Sequence, residues 1–336
     1  MKAFEIQNKF GLDSLTLTER PDPKPSYGQV LIKLRAVSLN YRDLMVVKGL
    51  YNPKLPLPLI PFSDGVGEVV AVGEGVTRVN IGDRVAGIFF QKWLAGELTA
   101  EKANSALGGA IEGMLAEYVV LHEDGVVRVP KHLSDEEAAT LPCAAVTAWN
   151  ALFTSGGLKA GDTVLIQGTG GVSIFALQFA LLAGARVIAT SSSDEKLERV
   201  RQLGASDGIN YKQTPDWGKK VRELTAGDGV DYVVEVGGAG TLTESLRAVR
   251  YGGQISLIGV LTGGSAEINT ASILMKNVKV QGIYVGSREM FEAMNSAIAL
   301  HKLHPVCDRV FDFHQAPQAL KYMETGSHFG KICIRF

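Results

Sequence analysis

Gly168, Thr169, Gly170, Gly171 and Val172 stand between a short β-branched run, Thr163 to Gln167, and an apolar stretch, Ser173 to Ala183, that lacks glycine and proline. Glycines at such a place let the backbone turn sharply and approach an anion. The first N–H groups of the following helix then point at it. Arg186 to Ala189 begins a second strand, which completes a strand–turn–helix–strand unit of about 30 residues. The pattern predicts a cradle for the pyrophosphate of a dinucleotide. Ser173 occupies the place of the third glycine, so the flanking elements carry the reading more than the glycines do.

The end of the second strand distinguishes one dinucleotide from another. A carboxylate about 20 residues after the turn binds a ribose 2′-hydroxyl. Here the segment reads ATSSSDEK, with Ser191 at that position, Ser192 beside it and Lys196 a turn later. Hydroxyl and ammonium donors suit a 2′-phosphate, so NADPH is the expected cofactor in preference to NADH. Two other roles stay open. Asp194 can turn in toward a ribose, and the serines can cap the helix that starts near Asp194. Gly237 and Gly259 end two later strands and are counted with the cofactor site.

These residues need elements to hold them. From about Thr163 to Val260 strands alternate with helices, which predicts a doubly wound parallel sheet, an α/β fold of Rossmann type. Upstream, Met1 to Ile6, Leu15 to Glu19, Val30 to Val37, Ser63 to Val72, Arg84 to Phe89 and Leu115 to Leu121 read as short strands. Several are glycine-rich, which suggests a small β-barrel-like domain. A helix is expected from about Tyr41 to Gly49. Gln91 to Gly113 reads as a polar excursion that could cover a substrate. Val278 to Val285 and Lys331 to Phe336 are expected to return to the first domain, the former as a strand that could pair across a dimer.

With 336 residues the chain is long enough for two domains. A net charge of −1 argues against a large nucleic-acid or anionic-membrane surface. No apolar run reaches the roughly 18 residues of a membrane span, and the opening MKAFEIQNKFG does not read as a signal peptide. Cys143, Cys307 and Cys333 are few, odd in number and far apart, so a reducing compartment, the cytoplasm, is expected, with no disulfide framework.

Several segments together resemble the medium-chain dehydrogenase/reductases over nearly the whole chain: LNYRDLMVVKGLY, PFSDGVGEVVAVGEGV followed by GDRV, PCAAVTAWNAL, the GTGGVS turn, RQLGASDGINY, VDYVVEVGG, GGQISLIG and HFGKICI. NYRD and KGLYNP are more similar to the quinone oxidoreductase and enoyl reductase branch than to the zinc alcohol dehydrogenases. The resemblance implies a GroES-like catalytic domain split around the nucleotide domain, with boundaries at 1–125, 126–264 and 265–336. It implies hydride transfer in the cleft between them, a small carbonyl or quinone substrate and a homodimer.

The same resemblance places the metal ligands of the zinc enzymes at Asn40, Ser63 and Cys143, with Asp64 at the place of a glutamate. One thiol beside an amide and a hydroxyl does not make a tetrahedral zinc site. The stretch from Gly87 to Tyr118 also lacks the cysteines of a structural zinc lobe. No zinc is expected, and metal-free hydride addition favours an acceptor already polarised by conjugation. Tyr51, in GLYNP, is the candidate proton or oxyanion donor. Asn40 is a candidate in the substrate pocket, or else a cap of the helix near Tyr41. Thr147 is placed beside the nicotinamide, Tyr211 by the adenosine phosphate and Lys331 near the cofactor. The reading is an NADPH-dependent reductase of quinones, enones or enoyl thioesters. The alternatives are an alcohol dehydrogenase acting on simple alcohols and aldehydes, and a non-catalytic NADPH-binding protein.

Overall fold

In a computed structural model that describes residues 1–336, the glycine turn lies at the carboxyl end of the strand Thr163–Gln167. That strand is central in a six-stranded parallel sheet. The order is Asp207–Asn210, Arg186–Ser191, Thr163–Gln167, Val230–Glu235, Val249–Leu257, Lys279–Gly282. It reverses direction beside the glycine turn, the arrangement of a doubly wound dinucleotide fold. The helix Gly171–Leu182 is apolar nearly all round and buries Ile174, Phe175, Leu177 and Phe179. Phe179 meets Trp149 edge-on at 5.6 Å between centroids, and Trp149 packs on Phe153 at 4.3 Å. These rings bind the helical segment Val146–Thr154 to the sheet's covering helix, through apolar burial and ring geometry together.

The strand Lys279–Gly282 corrects one expectation. It pairs in parallel with Gln254 to Leu257 as the outermost strand of this sheet, and does not return to the β-rich domain. Val278 packs in the sheet's core while Lys279 and Gly282 are exposed. The strand Lys331–Arg335 does join the other unit, as expected, where Cys333 pairs antiparallel with Ser38.

The chain forms two compact units: Met1–Val146 with Gly286–Phe336, and Thr147–Val285. The first is built on a seven-stranded, mostly antiparallel sheet around the long strand Gln29–Ser38. Register shifts at Leu31/Ile32 and Leu34/Ala36 bend that strand against Asp64–Val72. The crossing is so close that a Cβ on Gly67 would stand 2.2 Å from the Lys33 carbonyl oxygen. The core is filled by Val30, Ile32, Leu34, Val37, Val69, Val85 and Ile332. The helical segment Asp135–Ala145 packs on this sheet. The excursion after Gln91 departs from the polar loop expected. Ser105 to Gly109 and Trp93 are buried, because their backbone pairs with Phe89, Phe90 and Gln91 inside the unit.

Candidate active site

In the β-rich unit, the ends of four segments meet at one end of the sheet. Strand Gln29–Ser38 ends just before Asn40, which caps the helix Tyr41–Val47 with a capping box: the Asp43 carboxylate accepts from the Asn40 N–H at 2.8 Å. Ser38 pairs with Asp64, so Ser63 and Asp64 lie beside Asn40 at the start of the next strand. Phe62, directly before them, is held at φ 72. This strained conformation for a bulky residue is fixed by the Met114 N–H bonded to its carbonyl. Lys331 opens the C-terminal strand, and Cys143 sits in the helical turn Leu141–Ala145.

The side chains form one buried polar ring. Lys331 Nζ donates to Asn40 Oδ1 and to the Leu39 carbonyl, each at 2.6 Å. Asn40 Nδ2 donates to Ser63 Oγ at 3.3 Å, and Ser63 Oγ donates to Asp64 Oδ1 at 2.7 Å. Asp64 Oδ2 accepts from the Cys143 N–H at 3.2 Å and stands 4.0 Å from Lys331 Nζ. Because an ammonium can only donate, it fixes Asn40 with Oδ1 toward Lys331 and Nδ2 toward Ser63. Ser63 and Asp64 are fully buried; Asn40 and Lys331 are 8% and 4% exposed.

Burial dominates the electrostatics. Desolvation raises the pKa of Asp64, opposed by Lys331 and by hydrogen bonds from Asn40, Ser63 and the Cys143 N–H. Asp43, also fully buried, is pushed up to about 7 by desolvation, against the pull of Arg42. The Cys143 thiol is driven upward by burial and then by Asp64, so it stays protonated. These donors do not fit zinc. There is one thiol only, Ser63 and Asn40 are turned to other partners, and an ammonium already lies among them. Zinc needs thiolate, imidazole or carboxylate ligands.

Tyr51 lies on the outer side of this cluster, 41% exposed. The Arg42 guanidinium is sandwiched between its ring, at 5.1 Å, and that of Phe89, at 4.9 Å. Arg42 Nη1 donates to the Leu107 carbonyl at 2.7 Å. Lys331, counted in the sequence with the cofactor residues, is therefore brought to Asn40.

The remaining candidates lie in the parallel-sheet unit. Gly168 has φ 68, and neither it nor Gly170 has an atom within 4 Å of a built Cβ, so both leave open space. Gly170 caps the helix Gly171–Leu182 without any side chain closing its first N–H groups, which suits a phosphate. Thr169 and Thr147 are buried. Val172, half-buried, is in the first turn of the same helix. Ser191 is buried, and its Oγ accepts from the Ser193 N–H at 3.3 Å. Ser193 caps the next helix by accepting from the Lys196 N–H. Ser192 is half-buried. Tyr211, 41% exposed, donates its N–H to the Ser191 carbonyl at 3.1 Å. Asp194 does not turn toward Ser191: its carboxylate accepts from Asn210 and Gln213. Gly259 packs under Val236, whose carbonyl oxygen would lie 2.2 Å from a Cβ there.

One element of this unit escaped the sequence reading. Glu235, fully buried, accepts from the N–H groups of Gly237 and Gly238 at 2.9 Å each, from Thr241 at 2.6 Å, from Gln167 at 2.7 Å and from Ser245. Gln167 Oε1 in turn accepts from the Gly237 N–H at 3.2 Å. The turn at Gly237 is thus tied to the strand that carries the glycine cradle. A carboxylate between the valines at the end of VDYVVEV, directly before two glycines, was the available signal.

Known proteins share both units. Residues 26–131 match the alcohol dehydrogenase GroES-like domain, and residues 171–299 match the zinc-binding dehydrogenase family. A zinc-type alcohol dehydrogenase-like protein of Schizosaccharomyces pombe is 47% identical over 97% of this chain and 96% of its own. A crystal structure from Sinorhizobium meliloti, provisionally described as an alcohol dehydrogenase, superposes with a TM-score of 0.93 at 44% identity, covering 100% of this chain and 98% of that one. A mycobacterial protein solved in complex with NADPH superposes with a TM-score of 0.84 at 26% identity, covering 100% of both chains. The chain belongs to the medium-chain dehydrogenase/reductase family and is one of its oxidoreductases.

Proposed function

We propose that the chain is a zinc-independent, NADPH-dependent reductase of conjugated carbonyls: quinones, enones or enoyl thioesters. The observation that carries this reading is the buried Lys331 ammonium bonded to Asn40 Oδ1 at 2.6 Å, where the zinc enzymes are expected to hold metal ligands. The reduced dinucleotide, when bound, supplies the hydride. Hydride addition to a conjugated acceptor leaves a negative charge spread to the carbonyl oxygen, which a hydrogen-bond donor can stabilise without a Lewis acid. Asn40 fits that role. Lys331 holds its amide orientation and polarises it, which leaves Nδ2 as the donor group. Tyr51 is the proposed source of the proton that completes the reduction. Lys331 acts through Asn40 and is a positioning residue.

NADPH is favoured by the hydroxyl-rich end of the second strand and by the engagement of Asp194 elsewhere. A relative bound to NADPH agrees with it. The two more similar relatives are described as alcohol dehydrogenases or like them, which favours that chemistry, and one assay separates the two readings. Purified protein is offered quinones, 2-enones, enoyl thioesters, aldehydes and alcohols with each dinucleotide. Turnover of a quinone or enone with NADPH, unchanged by a chelator, is expected. In Lys331→Met, kcat should fall by roughly 10- to 100-fold, with the dinucleotide Kd unchanged. Activity confined to simple alcohols, with stoichiometric zinc and loss on chelation, overturns the proposal.

A further inference from the structure

Cys307 and Cys333 are 26 residues apart in sequence but lie on adjacent parallel strands, Cys307–Asp312 and Lys331–Arg335. Cys333 Sγ lies 3.9 Å from Cys307 Sγ and 3.4 Å from the Glu136 carbonyl oxygen, the two acceptors within reach of its one hydrogen. Cys333 is fully buried, while Cys307 is partly buried. A bulge between Cys307 and Arg309 adds one residue to the first strand, which gives the Cys307 backbone slack beside its partner. The two thiols differ in chemistry. The hydrogen bond from Cys333 lowers the Cys307 pKa, and the same bond with burial raises that of Cys333. A partly exposed thiol 3.9 Å from a fully buried one is the arrangement of an attacking and a resolving cysteine.

We propose that Cys307 and Cys333 form a reversible disulfide on exposure to a hydroperoxide. The Cys307 thiolate attacks one peroxide oxygen, the O–O bond breaks, and the products are a sulfenic acid and, for hydrogen peroxide, water. Cys333 then attacks that sulfur, the S–O bond breaks, and a second water leaves. Two thiols and one hydrogen peroxide thus give one disulfide and two waters. A dithiol reverses the step by exchange.

The consequence for activity rests on the function proposed above. Closing 3.9 Å to a bonded distance of about 2.0 Å moves the two side chains and, as proposed here, draws the strands that carry them together. Lys331 is in register with Cys307 and lies two residues before Cys333 on the same strand. The movement therefore displaces the ammonium from Asn40, and oxidation lowers turnover.

The test counts thiols, which does not depend on any substrate. Folded protein is treated with a few equivalents of hydrogen peroxide, unfolded in an alkylating agent and weighed intact, then mapped by peptide. The expected result is one alkylated cysteine, Cys143, and a cross-link between the Cys307 and Cys333 peptides. Prior treatment with dithiothreitol restores all three alkylations. Three alkylated cysteines after peroxide, or Cys307 oxidised to sulfinic acid with Cys333 still free, overturns the proposal. Turnover should fall by roughly tenfold on oxidation, since displacements near 1 Å carry penalties of this order or larger. It should recover with dithiothreitol and be unaffected by peroxide in Cys307→Ser. A cross-link without an activity change would retain the disulfide and remove its link to Lys331.

Discussion

Asp43 shows how a single buried charge is read out as pH dependence. It faces Arg42, with Nη1 3.9 Å from Oδ1, and feels Asp64, Lys331 and the Asn40 N–H. Its Oδ1 has no hydrogen-bond donor in the chain. With the pKa raised from 3.8 to about 7, the folded chain holds a proton that the unfolded chain releases. Stability from this group is therefore fully present below about pH 4 and is lost as pH rises toward 7, by up to about 1.4 kcal/mol per pH unit. Asp43→Asn keeps an oxygen to accept the Asn40 N–H but cannot ionise. The fall in denaturation midpoint between pH 4 and 7 should be smaller in the variant than in the parent. Equal slopes would show that Asp43 does not titrate there. Asn40 was legible at this scale because it stands in a recognisable segment. Lys331 was singled out too, but toward the cofactor and not as the partner of Asn40. Lys331 is 291 residues away, and neither its burial nor its bond to Asn40 leaves any local pattern.

At the scale of elements, the junction between the strand Arg186–Ser191 and the helix Asp194–Gln202 divides three serines among three tasks. Ser193 caps the helix, Ser191 braces the cap from below, and Ser192 has no side-chain hydrogen bond of its own to keep. The capping role falls on Ser193 with Ser191 beneath it, which leaves Ser192 for the cofactor role in the NADPH reading proposed above. Ser192 is then the hydroxyl best able to meet a 2′-phosphate, and Ser192→Asp places a carboxylate against it. The ratio of kcat/KM for NADPH to that for NADH should fall by about tenfold or more. A ratio left unchanged would remove Ser192 from cofactor choice. The βαβ unit was readable because its periodicity is local. The strand expected over Val278 to Val285 was readable as a strand but not its sheet, since the four paired residues KVQG carry no period that says which sheet they join. Its place is set by pairing with Gln254 to Leu257.

At the scale of the molecule, that same strand leaves the six-stranded sheet with an open edge. One side of Lys279–Gly282 pairs within the chain and the other pairs with nothing. Such an edge offers unpaired N–H and C=O groups to another strand unless it is blocked by charge, proline or a covering segment. It contains one lysine and no proline. The turn leading into it exposes Leu274 and Met275 at 80% and 76%, apolar area that a monomer gains nothing by showing to water. A second copy satisfies both features, because a two-fold axis lets the same edge meet itself. The expected mass in solution is twice the 36.0 kDa of the chain. Leu274→Asp combined with Met275→Asp should shift the protein toward monomer, with the sheet of each copy intact by circular dichroism. Light scattering reads the outcome: a monomeric parent at micromolar concentration would mean that the edge is left to solvent.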